Sequence, residues 1–492
     1  MTSNLHIIAR RIMKEHGFRV DFPPEAAAQA EQAESPSFQG PETDLTHLFW
    51  SSIDNDDSRD LDQIEYLQTE ANGMRLYVAI ANVDHFVPAD SPLDKTAQQN
   101  TTSIYTGVET FPMLPLRLST DLSSLLEGKK RLAVVTEMSV DPAGAVTQST
   151  VYPAVVQNKA QLTYDAVAAW LEGKTEEASS DITKLMLDKI RRESELQDQL
   201  RRQDQLAQIM ETRRHENGAL TFGMTELRPS ISPTGEVRLN VHRSNRATQL
   251  IENFMIVANQ TSAAFLKGKN LPCIKRIVRT PKRWDKIVEV AKERGFTLPA
   301  QPEAKSLQQF LKDQQRKDPE QFPDLSLTVV KLLGRGEYIV EQPEQKPVGH
   351  FGLAVENYSH STAPNRRYPD VLTQRLLLSA GAPAAAKIPA PGGSLEMLAR
   401  QCTEKEDEAN KVERSVHKSV AAVALSHRIG EEFPGTITGS SDKGVWVRIA
   451  NPPVEGKLQG KARLLDVGDK VRVRLASTNP DRGFIDFDLI DP

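Results

Sequence analysis

The chain has 492 residues, is 39% hydrophobic and carries a formal net charge of −5 at neutral pH, enough apolar content for a sizeable core in two or three domains. Cys273 and Cys402 are its only cysteines, which excludes a disulfide framework and a cysteine-built zinc site. No apolar run reaches a membrane span, Met1–Arg11 lacks the apolar core of a signal peptide, and the net acidity excludes an all-over basic coat; a cytoplasmic protein is expected, with any polyanion path confined to a local groove.

In chain order, Leu5, Ile8, Ala9, Ile12 and Met13 recur at helical spacing, and Gly17 is placed to end that helix. Pro23 and Pro24 introduce an alanine-rich second helix to about Glu34, before the Ser35-Pro36-Ser37 loop. Residues 1–45 thus read as a small helical piece: a helix-turn-helix of DNA-binding type, or a support packed on the catalytic body of the chain. From Leu48-Phe49-Trp50 the character changes. Ile53–Glu65 reads IDNDDSRDLDQIE, crowding Asp54, Asp56, Asp57, Asp60, Asp62 and Glu65 together ahead of a buried strand over Arg75–Val83. Carboxylates so close repel one another unless a cation sits among them. Three readings are open: a catalytic divalent-cation centre, a solvated acidic turn, or a calcium loop. The last would use Asp54, Asp56, Ser58, Asp60, Asp62 and Glu65 as ligands, but Arg59 stands where its sharp turn needs glycine, and the flanks look like strands.

Further on, Ile182–Arg214 is a charge-rich helical arm with Leu185, Met186, Ile190, Leu196 and Leu200 as its apolar stripe. Lys267, Lys269, Lys275, Arg276, Arg279, Lys282 and Arg283 surround Trp284, as a nucleic-acid contact or as a solvated surface with one packed tryptophan. Tyr358–Asp370 reads YSHSTAPNRRYPD. Its adjacent Arg366 and Arg367 come after a proline turn between aromatics, a ready phosphate clamp, since the guanidinium is a planar, permanently charged fork. An acidic metal loop and an arginine clamp are the two halves of a phosphoryl-transfer site.

From Gly430, short alternating segments separated by glycine-bearing turns predict a five-stranded OB barrel over 430–492. Trp446 and Phe433 are candidates to stack on bases, with Lys457, Lys461, Arg463, Arg472 and Arg474 near phosphates; the alternative is that both aromatics are core.

Several of these segments carry a resemblance. Asp54, Asp60 and Asp62 match an acidic motif of the form I-D-(x)5-D-x-D-D. Val78–Val87, Ser103-Ile104-Tyr105, Phe111–Pro115, Leu118–Leu125, Gly218–Phe222, Leu250–Met255, His350–Ala354, Arg366–Asp370 and Val412-Glu413-Arg414 come in the same order. Over nearly its whole length the chain resembles the RNase II/RNase R family of processive 3′-to-5′ exoribonucleases. Two departures stand out. Gln63 replaces a fourth aspartate, and the common T-S-P-I-R-R-Y reads Thr362-Ala363-Pro364-Asn365-Arg366-Arg367-Tyr368.

The resemblance implies a mixed α/β (α+β) catalytic domain of RNB type over 46–429, between the helical segment 1–45 and the all-β barrel 430–492, without the family's usual N-terminal cold-shock domains. It implies Mg²⁺-dependent hydrolysis of single-stranded RNA from a free 3′ end to nucleoside 5′-monophosphates, with one or two ions, Mn²⁺ as a substitute, and neither a membrane nor an obligate protein partner. Asp54, Asp60, Asp62 and Gln63 are the implied metal ligands, and the three aspartates with Arg366 the catalytic set. The implied RNA contacts are Tyr105, Phe222, Tyr358, Arg367, Glu413, Trp446 and Lys457. Tyr105 would stack on the last bases with Phe222 as a candidate opposing ring, and Glu413 would meet the terminal ribose, a contact that tells RNA from DNA. A catalytically weak or silent RNA-binding relative is the alternative, favoured by Gln63 and Ala363.

Overall fold

The computed structural model describes residues 2–38, 40, 42–177, 180–223, 226–231, 237–242, 244–380, 394–441, 444–459, 465 and 467–491. Helices Thr2–Glu15 and Pro24–Gln32 open the chain. Leu5, Ile8, Ala9, Ile12 and Met13 of the first share a buried cluster with Ala409, Val412, Val416 and Val420 of the 31-residue helix Leu395–Leu425. The amphipathic stripe therefore meets the body of the protein, and the N-terminal piece is packed onto it.

At the centre is a sheet with strands in the order Thr43–Asp44, Val146–Thr163, Trp50–Asp54, Gln63–Glu70, Gly73–Ala81 and Lys130–Val140. The 18-residue Val146–Thr163 pairs antiparallel with Lys130–Val140 through its first part and parallel with Trp50–Asp54 through its last, which closes the circuit of strands. Alternation along the strands feeds two cores. Trp50, Ile64, Tyr77, Ala79 and Ala81 lie in one, with Tyr368, Val371 and Leu372 of helix Tyr368–Ser379. Ile53, Leu67, Leu76, Val78 and Ile80 lie in the other, under helices Ser194–Glu216 and Arg246–Gly268. With helices on both faces, the run Leu76–Ala81 is buried throughout.

Several expectations are corrected here. The charge-rich arm is two helices, Asp181–Arg192 and Ser194–Glu216, because Glu193 between them is extended. Of the predicted stripe Leu185 is exposed, and Leu187 is buried in its place. The basic cluster around Trp284 is not one surface. Lys275 is buried against Glu341 at 2.6 Å, Arg276 pairs with Glu406 at 2.6 Å, and the buried Trp284 indole donates to the carbonyl of Pro299 at 2.9 Å. The calcium-loop reading fails as well, since Asp54 ends one strand and Glu65 lies inside the next.

Strands Glu432–Ser441, Gly444–Ile449, Glu455–Gln459, Lys470–Asn479 and Phe484–Asp491 form a closed five-stranded barrel. Val445, Val447 and Ile449 point inward, and the core is completed by Ala421, Ala422 and Leu425 at the end of the long helix. That helix thus contacts both the N-terminal helix and the barrel. Phe433 is a core aromatic, edge-on to Phe487 with ring centres 6.4 Å apart and covered by the Arg428 guanidinium, so it presents no face to a base. Trp446 is half-buried on the outer wall, in register with the exposed Lys457. Arg472 and Arg474 are exposed and pair with Glu432. Lys461 and Arg463 lie outside the described residues. No described helix is long and apolar enough to cross a membrane.

Candidate active site

The acidic run divides by position. Asp56 and Asp57 are exposed, Asp54 and Asp60 are half-buried, and Asp62 and Glu65 are buried. Local bonds shape the turn between the strands. Asp54 accepts from the Asn55 amide and the Ser58 hydroxyl, both at 2.7 Å. The Ser124 hydroxyl accepts from the Leu61 amide at 3.0 Å and donates to the Arg59 carbonyl at 2.7 Å, while the Ala81 amide donates to the Asp62 carbonyl at 2.9 Å. These ties carry Asp62 inward.

The arginine loop meets it there. The Asn365 amide donates to Asp62 at 3.0 Å, and Arg366 Nε lies 3.4 Å from the other carboxylate oxygen, long enough that the attraction is mainly charge–charge. The loop is itself held from several sides. The Ser103 amide donates to the Arg366 carbonyl, the Tyr368 amide to that of Thr101, and the Ser123 hydroxyl to Asn365 Oδ1 at 2.6 Å. Arg366 leaves 47% of its side chain exposed. Arg367 instead turns back to Asp370 at 2.7 Å, and Asp370 also accepts from the Ala363 amide, so this second arginine braces the loop.

Burial dominates the electrostatics. It pushes Asp62 up to about 7, helped by Asp60 and Asp370 and opposed by Arg366 and the Asn365 amide. Burial raises Asp60 too. Glu65 rises well above its usual range through burial and the charge of Asp54, and neither of its carboxylate oxygens has a hydrogen-bond partner among the described residues. It sits opposite Ser51, whose hydroxyl is equally unpaired. Sequence reading placed Glu65 among the turn's carboxylates; its position inside a strand removes it from solvent.

Tyr105 stands at the rim, 40% exposed, on a hairpin of Ile104–Tyr105 and Thr110–Phe111. Its hydroxyl donates to Asp60 at 3.2 Å and its amide to Glu413 at 3.0 Å. The fold therefore gathers Asp54, Asp60, Asp62, Arg366, Tyr105 and Glu413 from segments far apart in sequence. Tyr358 is buried, edge-on to His350 and His360. Phe222 is packed against the helical cluster of Trp284, Phe310 and Phe322. Ser123 and Ser124 lie in the Leu118–Leu125 segment and Asn365 in the arginine loop, but nothing in those segments signals the hydrogen bonds by which they set the loops. Asn365, one of the positions where the loop departs from the common T-S-P-I-R-R-Y, is fully buried, its Oδ1 accepting from Ser123 and its backbone amide donating to Asp62.

Among the described residues no three Asp, Glu, His or Cys side chains stand together as a formed metal cage. The donor chemistry of Asp54, Asp60, Asp62 and Gln63 nonetheless suits a hard cation. All are oxygen donors, and the carboxyls of Asp60 and Asp62, raised by burial, would be relieved by positive charge.

The model of the RNB domain matches residues 42–381 of the chain. The chain belongs to the RNB ribonuclease family. A second model, the RNase II-type exonuclease C-terminal S1 domain, matches 431–490, the closed barrel. Ribonuclease R 2 of Lactococcus lactis is 29% identical over 500 residues, covering 95% of this chain and 72% of that protein. Ribonuclease R of Escherichia coli K12 is 29% identical over 483 residues, covering 91% of this chain and 57% of that protein. The chain thus spans little more than half of the second relative's length. Among solved structures, Mycoplasma genitalium RNase R in complex with ribose-methylated single-stranded RNA superposes with a TM-score of 0.86 at 24% identity, covering 99% of this chain and 78% of that one. Yeast Ssd1, a pseudonuclease, superposes with a TM-score of 0.69 at 16% identity, covering 97% and 57%. At these identities the two structures show a shared fold.

Proposed function

We propose that this RNB-family chain is a processive 3′-to-5′ exoribonuclease that degrades single-stranded RNA with a free 3′ end to nucleoside 5′-monophosphates, using Mg²⁺. The observation that carries the reading is the meeting of Arg366 with the buried Asp62, beside Asp60, to which the hydroxyl of the exposed Tyr105 donates. Asp54 and Gln63 would hold one ion, and Asp60 and Asp62 a second ion or the attacking water. Bound there, Mg²⁺ or Mn²⁺ supplies a lowered water pKa and neutralises charge on the reacting phosphate. Arg366 donates to the same phosphate oxygens from its exposed side. Arg367 holds that loop through Asp370. Tyr105 stacks on the terminal bases, and Glu413, which already fixes the Tyr105 amide, meets the terminal ribose. Phe222, only partly buried, is the candidate opposing ring; Tyr358, buried between His350 and His360, supports the site from within and makes no contact with RNA; Trp446 with Lys457 engages the strand upstream on the barrel wall.

In this reading 1–45 is a helical support, 46–429 the catalytic domain and 430–492 the RNA-binding barrel of a cytoplasmic enzyme with no obligate protein partner. A second reading, a silent RNA-binding relative, is favoured by the uncharged Gln63 in the acidic set. Incubating 5′-labelled RNA with Mg²⁺, with and without EDTA, separates the two. Metal-dependent shortening to one short end product is expected; intact RNA that stays bound in Mg²⁺ would select the silent relative.

A further inference from the structure

The hairpin carrying Tyr105 has only two residues in each strand, and so small a hairpin does not hold its shape alone in water. Its support comes from the beginning of the chain. Ile104 and Phe111 are buried in the same cluster as Leu5, Ile8, Ala9, Ile12 and Met13 of the first helix, with Val412 and its neighbours on the long helix completing it. At the tip of the hairpin, Thr106 clasps Glu109: its hydroxyl donates to the Glu109 carbonyl at 2.6 Å and accepts from the Glu109 amide at 3.0 Å. The Glu109 carboxylate faces the first helix. Arg10 donates to it at 2.6 Å, and His6 Nδ1 lies 3.5 Å from its other oxygen. Asp21 also pairs with Arg10. The segment leading into the hairpin is tied to the same N-terminal region, because the backbone of Arg19 and the side chain of Asn100 exchange two hydrogen bonds of 3.0 Å. Lys405 of the long helix donates to the Gly17 carbonyl at 2.6 Å and covers the ring of Phe18.

We propose that the N-terminal helix is a positioning element for the 3′-end clamp. Through its apolar face and the Arg10–Glu109 pair, it fixes the hairpin so that the Tyr105 hydroxyl stays on Asp60 and its amide stays on Glu413. Arg10 touches no reacting atom; it acts through Glu109 and the hairpin. The proposal rests on the reading of Tyr105 as the ring that stacks on the terminal base. It predicts that loosening the helix weakens the grip on short RNA, where the clamp is the main contact, and spares the chemistry at the acidic turn.

The test uses the full chain with Arg10→Glu, Glu109→Arg, both together, and Arg10→Lys, with Tyr105→Ala as reference. Each is assayed on 5′-labelled RNA and on a short oligonucleotide. Arg10→Glu and Glu109→Arg are each expected to raise KM for the oligonucleotide about five-fold, the upper range for a partly exposed ion pair. They should lengthen the final product while leaving kcat and the half-saturating Mg²⁺ concentration at wild-type values. Arg10→Lys should restore both KM and product length, and the double reversal a part of each, because it leaves Asp21 facing a second carboxylate. If Tyr105→Ala lengthens the product and the two single reversals do not, the helix is not the clamp's support. If kcat falls with KM and the double reversal restores nothing, the effect is general destabilisation and the proposal is overturned. If Tyr105→Ala itself leaves the product length unchanged, the stacking reading fails and takes this proposal with it.

Discussion

The acidic end of the central sheet and the C-terminal barrel use charge in opposite ways. At the acidic end of the sheet, Asp62 is buried, raised by its burial, and tied to a loop 303 residues away. On the barrel, Lys457, Arg472 and Arg474 stand on the outer wall, and the two arginines pair locally with Glu432. A buried charge is expensive and acts strongly on whatever enters beside it; exposed charges each contribute little, are screened by salt and add up over a surface. On the proposed function, the acidic site would serve one event at one phosphate, and the barrel a sum of replaceable contacts along a strand.

That contrast can be broken or sharpened by experiment. Arg366→Ala should lower kcat by about 10²- to 10³-fold, the usual cost of losing one donor to developing charge, with little change in the Kd of long RNA. A parallel loss of binding would make Arg366 an ordinary phosphate contact. Trp446→Ala should weaken long-RNA binding by roughly ten-fold, within the range for one base stack, and leave kcat at saturation unchanged. Lys457→Ala should reduce the salt slope of binding by about one contact; an unchanged slope would take Lys457 off the RNA path. Gln63→Asp should lower the Mg²⁺ concentration for half-maximal activity a few-fold, roughly as expected for adding a charged oxygen ligand. An unaltered titration would mean that position 63 does not touch the ion.

The smallest effect concerns acid stability. Burial lowers His350 from 6.5 to about 4, and its Nδ1 accepts from the Leu353 amide. The unfolded chain therefore binds a proton below 6.5 that the folded one refuses, so stability is lost as pH falls from about 6.5 towards 4. His360, half-buried with Nδ1 2.7 Å from the Tyr338 hydroxyl, shifts in the same direction. His350→Asn should flatten part of this slope in urea midpoints taken across that window. A slope identical to wild type would show that the ring titrates alike folded and unfolded.

What the sequence made legible was local. Repeating apolar spacing marked the first helix, glycine-bounded alternation marked the barrel strands, and paired arginines after a proline marked the loop that meets Asp62. What escaped depended on partners distant in the chain. Glu65 reads as one more acid until the sheet encloses it, and Lys275 as one more base until Glu341 closes on it. Phe433 and Trp446 are both barrel aromatics, and only the pleat decides that one faces the core and the other the outside. Ser123, Ser124 and Asn365 carry no chemical signature, and they gain meaning from bonds spanning 65 to 303 residues.

The most direct test of the site is Asp62→Asn, which keeps the side chain's shape and an oxygen for the Asn365 amide while removing the charge. Hydrolysis and binding of one labelled single-stranded RNA should be measured on the same preparation in Mg²⁺. Release of mononucleotides should fall to roughly a thousandth of wild type or lower, with the Kd within about two-fold, because affinity comes from stacking and backbone contacts elsewhere. A variant that keeps a tenth or so of the wild-type rate, with RNA binding intact, would contradict the assignment of the buried carboxylate as the centre of the chemistry.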